Sequence, residues 1–132
     1  MRLFPGFSLV VLGLLWGGPD LRADDERLAV PSRADQAKAE DLVRDLFKTD
    51  YRKTRRADQL VLSARLLEQG LETKDDPAGR YVLLREAAIL AARAGALEQG
   101  LSAVNELTGS FATSGAAIKA DVCEAAAPTH TG

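Results

Sequence analysis

Scarcity is the first property of this sequence. Its 132 residues include one cysteine, one histidine, one tryptophan and one methionine. A lone cysteine makes no internal disulfide, so packing must hold the fold even in an oxidising compartment. Cys123 stands among alanines and is expected to be a small buried hydrophobe. The alternative is an exposed thiol that links to a partner. The only histidine, His130, sits in the terminal PTHTG segment. One cysteine and one histidine cannot assemble a zinc set or a thiol–imidazole pair. No serine stands in a nucleophile-elbow context, and no glycine-rich phosphate loop is present. These gaps leave no catalytic residue, cofactor or metal to assign.

Aromatic residues make up 5% of the chain, and runs of β-branched residues are scarce, which argues against a sheet. The net charge is −2, so bulk attraction to nucleic acid or to an anionic membrane is not expected. What is abundant is alanine, leucine, glutamate and arginine, the residues that favour helices. The length allows one domain.

Residues 1–23 read as a secretory signal peptide. Arg2 and the chain amine precede an apolar run from Phe7 to Trp16, which Gly17, Gly18 and Pro19 break. Leu21-Arg22-Ala23 then places a small residue before a cut. The run is far shorter than the ~20 residues that span a bilayer. The alternative is an uncleaved N-terminal anchor. No later segment reads as a stable membrane span. Residues 24–32 are expected to be a linker, 33–127 a helical domain, and 128–132 a disordered tail.

Five helices are expected. Ser32 can cap the first, from Arg33 to Lys53, where Leu42, Val43, Leu46, Phe47 and Tyr51 recur at helical spacing. Thr54 is the expected cap of the second, Arg55 to Glu72, with Leu60, Ala64, Leu67 and Leu71 as its apolar stripe, widened by Val61 and Leu62. Asp76-Pro77 opens the third: the carboxylate accepts orphan N–H groups, and proline at the first helical position loses nothing. That helix should run to Ala94, be stopped by Gly95, and be the most buried. The fourth covers Ala96 to Thr108, with Leu97, Leu101, Val104 and Leu107 inward and Phe111 folded back over it. A fifth, from Ala116 to Ala127, carries Ile118, Val122 and Cys123.

The expected fold is therefore all-α, built of antiparallel helical hairpins. Pro77 to Ser110 spans about 34 residues, the length of a tetratricopeptide helix pair. Ala88, Gly95, Leu97 and Leu101 suit that pattern. Gly100 stands where the second helix usually has another small residue, and no proline closes the unit. A tetratricopeptide-like array of about five helices is the expected architecture.

The segments AEDLVRDLFKTDY, ARLLEQGLETKDDPAGRYVLLREAAILAARAG and LSAVNEL carry a resemblance. Together they resemble an uncharacterised helical domain of exported bacterial proteins, over Ala39 to Leu107. TKDDPAGRYVLLREA is the most specific part. The resemblance implies a secreted, tetratricopeptide-like region and no known activity. Such relatives commonly continue beyond a fifth helix, so a truncated member or a piece of a longer protein is expected.

Two groups of charged residues are the candidate partner-binding sites. Arg85, Glu86 and Arg93 interrupt the apolar third helix. They form either one exposed strip or a polar patch within a concave groove, a surface that stacked helix pairs present. Lys48, Arg52, Lys53, Arg55 and Arg56 cluster at the first helix junction, as a solvated face or as a surface for an acidic partner. Asp75 and Asp76 read as helix punctuation rather than a general acid/base pair. The expected function is an exported, non-enzymatic helical module for protein–protein interaction, self-association or structural packing. The alternatives are an accessory piece of an envelope-acting enzyme and a basic-patch binder of acidic polymers.

Overall fold

The structure, a computed structural model, describes residues 27–127. The signal-peptide reading, residues 24–26 of the linker, the tail and His130 lie outside the described residues. Among the described residues the chain is all-helical. Its helices are α1 (Arg33–Leu46), α2 (Lys48–Tyr51), α3 (Arg56–Glu72), α4 (Pro77–Arg93), α5 (Leu97–Ser110) and α6 (Gly115–Ala126).

Central to the fold is α4, which packs against α1, α3, α5 and α6. Its start is fixed by Asp76, whose carboxylate accepts from Gly79 N at 3.1 Å, and by proline in the first turn. Its end is a Schellman stop. Gly95 takes φ +76°, Ala96 N donates to Ala91 O at 2.8 Å, and Gly95 N donates to Ala92 O at 3.0 Å. Between these caps, Tyr81 to Leu84 and Glu86 to Ala91 are buried. A helix apolar nearly all round needs neighbours on every side, and α4 has them. Ala92, expected inward, is exposed.

The first expected helix is two. It breaks at Phe47, whose backbone (φ −107°, ψ 27°) separates α1 from α2. Tertiary contacts favour the break. Phe47 and Tyr51 both pack on the core, Arg44 lies 4.9 Å above the Tyr51 ring, and Arg65 lies 5.5 Å from the Phe47 ring. Leu42 and Leu46 of α1, expected inward, are exposed, Leu46 by 76%. At the other end Ser32 caps α1 as expected, accepting from Asp35 N at 3.1 Å.

The buried face of α3 is Leu62, Ser63, Leu66 and Gly70; Leu62 is inward as expected and Val61 is exposed, and the centre of the face lies about one residue round from the expected stripe. The reason is close approach. Ser63 Oγ donates to Ala87 O at 2.6 Å. A Cβ on Gly70 would stand 2.8 Å from Leu84 Cδ2 and 3.3 Å from Leu83 Cβ. Small residues let the α3 and α4 backbones meet; of the expected stripe, Leu67 still packs partly buried against the core, whereas Leu71 is 39% exposed. Thr54 is not the cap of α3: Arg55 holds that position, without a side-chain bond.

In α5, Ala103, Val104 and Leu107 are buried, but Leu97 is 72% exposed. Phe111 folds back as expected. It is fully buried, with its ring edge-on to Tyr81 at 5.2 Å between centroids. Ser114 caps α6, accepting from Ala117 N at 3.0 Å. Ile118 and Val122 of that helix face the core, whereas Cys123 is exposed. Its position one residue past Val122 turns it off the buried stripe.

The middle of the expected linker is fastened to the body. Leu28 N donates to Ser110 O at 2.8 Å, and Ala112 N donates to Leu28 O at 2.7 Å. Arg27 reaches the Thr108 carbonyl at 3.1 Å. This strap covers the turn that Phe111 anchors.

Candidate functional site

Three helices define a concave surface. On one side of α4, α1 and α6 stand as walls, and the open groove between them measures about 470 Å³. Arg33, Gln36 and Glu40 face it from α1, Tyr81 and Arg85 from α4, and Asp121 from α6. The α1 residues recur every three or four positions, so one helix face presents them all.

A chain of charges runs beneath and along this groove. Arg85 grips Asp121 with two parallel hydrogen bonds, Nε to Oδ2 at 2.6 Å and Nη2 to Oδ1 at 3.1 Å. Paired donors of this kind fix orientation as well as attraction. The Asp121 bond raises the Arg85 pKa further, against the opposing effect of burial. Arg85 Nη1 also lies 3.6 Å from Glu86 Oε2.

Glu86 is not on an exposed strip. Only 2% of it is accessible. A buried carboxylate must be paired and hydrogen-bonded. Here Tyr51 donates its hydroxyl to Glu86 Oε1 at 2.9 Å and Arg44 donates Nη2 at 3.2 Å. Arg44 also lies 3.5 Å from Glu40. Burial, and then the Glu86 carboxylate, push the Tyr51 pKa well above its ordinary value. Tyr51 therefore stays a donor. Glu86 joins α4 to α1 and α2, and Arg85 joins α4 to α6.

The candidate residues therefore separate. Arg85 lines the groove, Glu86 lies buried behind it, and Arg93 is exposed and bonds the Ala125 carbonyl at 3.0 Å. The three do not form one strip, because Glu86 turns towards α1 while Arg93 meets the end of α6. None of Lys48, Arg52, Lys53, Arg55 or Arg56 lines the groove. All five are exposed. Arg55 pairs with Asp58 at 3.3 Å, and Arg56 donates Nε to the Ala94 carbonyl at the end of α4.

Tyr81, Glu40 and Asp121 are groove residues that the sequence reading missed. The seven-residue spacing of Arg33 and Glu40 was a usable signal for α1. No local pattern links Asp121 to Arg85. Among the described residues, no group of three or more histidine, cysteine, aspartate or glutamate side chains could hold a metal ion. No helix among them is long and apolar enough to cross a membrane. No protein-family model, curated protein or solved structure matches the chain.

Proposed function

We propose that the chain is an exported, non-enzymatic helical-repeat module that binds a segment of a partner protein along the α1–α4–α6 groove. The observation that carries this reading is the groove itself, an open trough with polar side chains on three helices. The order of packing supports a repeat-like architecture. Helix α4 packs on α3 before it and α5 after it, and also on α1 and α6, while α5 touches α6. Stacked helix pairs produce that order and leave a concave face for ligands. The α4–α5 pair, Pro77 to Ser110, has the tetratricopeptide length of about 34 residues. Binding is favoured over chemistry because Arg85 and Asp121 hold each other in a two-point grip. Export rests on the apolar run from Phe7 to Trp16 and the small residue at Ala23.

Site-specific photo-crosslinking in a bacterial host tests both parts. A photoreactive residue at Ala37 or Ala117, on opposite groove walls, should give the same cross-linked product in the envelope fraction. The same group at Glu68, exposed on α3, should give none. Equal products from all three positions, or none from the groove, would overturn the binding reading. Recovery of the chain from the cytoplasm with residues 1–23 intact would overturn the export reading.

A further inference from the structure

The outward side of α1 and α2 carries a pattern that no contact within the chain uses. Phe47 bends this stretch without unwinding it: Phe47 N donates to Val43 O at 3.0 Å, and Tyr51 N donates to Phe47 O at 2.9 Å. Arg52 still has helical backbone, with φ −74° and ψ −19°. Helical spacing therefore holds from Arg33 to Arg52. Asp41, Asp45, Lys48 and Arg52 follow at steps of four, three and four residues, along one face. Leu42 and Leu46 stand beside them, 63% and 76% exposed. Helices α1 and α3 both pack on α4 but not closely on each other. An open hollow of about 420 Å³ lies between them, with Leu42, Leu46 and Leu83 in its lining.

The charges on this face have an order. Two acids come first and two bases follow. Asp41 and Arg52 stand equally far from the point between Leu46 and Phe47, and so do Asp45 and Lys48. All four are exposed, and among the described residues none of them makes an ion pair. Asp35 and Lys38, nearer the start of α1, bring the face to three charges of each sign. Arg33, Glu40 and Arg44 point the other way, to the α1–α4–α6 groove or to Glu86. A face so balanced has no net pull on a polyanion or a polycation. It fits a surface with the opposite order of charges. Turned end for end, a second copy of this chain is that surface.

We infer that two copies of the chain pair through α1 and α2, antiparallel, about a two-fold axis beside Leu46. Each Asp41 then faces the partner's Arg52, and each Asp45 faces the partner's Lys48, in the reciprocal manner of an isologous interface. Leu46 meets its own copy near the axis, and the exposed leucines leave water. The hollow between α1 and α3 gives them depth to sink into. Lys38 approaches the partner's Lys53 only at the exposed edges, where salt screens the repulsion. The strip is about 30 Å long and one helix wide, short of the ~800 Å² per partner of a standard interface, so the pairing is reversible. The α1–α4–α6 groove lies on the opposite side of α1 and stays open. The pairing therefore stands or falls independently of the groove reading.

Sedimentation equilibrium of the full chain from about 5 to 500 μM, the range of a weak interface, reads the pairing. The wild type should pass from monomer to dimer across that range. Leu46→Glu, at an exposed position, should stay monomeric with an unchanged circular-dichroism spectrum. Asp45→Lys and Lys48→Asp should each raise the dimer Kd at least about fivefold, because each dimer then holds two like-charge contacts. Mixing these two variants separates pairing between chains from effects within one. In the mixed dimer the two reversals face each other, and so do the unaltered Lys48 and Asp45. It should therefore form with a Kd near that of the wild type, which an effect within one chain would not produce. A monomer at every concentration would overturn the inference, as would a dimer whose Kd survives Leu46→Glu. A mixture no tighter than either variant alone would overturn the antiparallel pairing.

Discussion

Glu86 shows how one residue can tie three helices. Its carboxylate meets Tyr51 on α2 and Arg44 on α1 while it stands on α4. Glu86→Ala strands the Tyr51 hydroxyl and opens a void, and should cost about 2–4 kcal/mol in urea unfolding. Tyr51→Phe should cost about 1 kcal/mol, and the double variant should cost less than the sum. Alkaline pH probes the same contact. Tyr51 has a raised folded pKa, so the folded state holds its proton more tightly than the unfolded chain does. That contribution is complete below the unfolded tyrosine range near ~10 and falls as pH rises through it. Wild-type stability should therefore decline above about pH 10, and Tyr51→Phe should flatten the decline. A slope unchanged by the substitution would contradict the assignment. The sequence marked Glu86 as unusual because a charge broke an apolar run. It could not mark Arg44 or Tyr51 as partners, because pairing across 42 and 35 positions leaves no local trace.

Helix ends were more legible than helix faces. Asp76-Pro77 and Gly95 bound α4 through backbone chemistry that is local, and both act as read. The face of α3 was misjudged because periodicity weighs leucines, whereas the α3–α4 seam is decided by Ser63 and Gly70. Glycine at position 70 contributes by absence. Gly70→Ala gains up to ~1 kcal/mol of helix propensity but drives a Cβ into Leu84, which is fully buried. The net effect should be a loss of about 1 kcal/mol, read as a lower thermal midpoint. Gly109, on α5, has nothing within 4 Å of an added Cβ. Gly109→Ala should therefore raise the midpoint or leave it unchanged. Equal effects at both sites would mean that the α3–α4 seam is looser than described. The break at Phe47 was unreadable for a related reason: nothing in the local run opposes a continuous helix, and only the pull of the core on Phe47 and Tyr51 ends it.

The described molecule is organised about α4, which packs against four other helices. Hydrogen exchange should show this as a gradient. Amides from Val82 to Leu90 should exchange only through global unfolding, and those of Leu62 to Leu66 nearly so. Those of α2, a four-residue helix without buried residues, should exchange through local opening. Uniform protection would argue against a single hub. The all-helical class was legible because composition and caps are summed along the chain. The groove was not, because it is a relation among helices far apart in sequence. The strap has a consequence in time rather than in space. Arg27 emerges during synthesis 81 residues before Thr108, the carbonyl it binds. Leu28 likewise waits for the backbone on either side of Phe111. The start of the described chain therefore has no seat until nearly all of it has been made. Its fastening records that synthesis has passed Phe111, and a chain halted earlier would keep that stretch open to proteases.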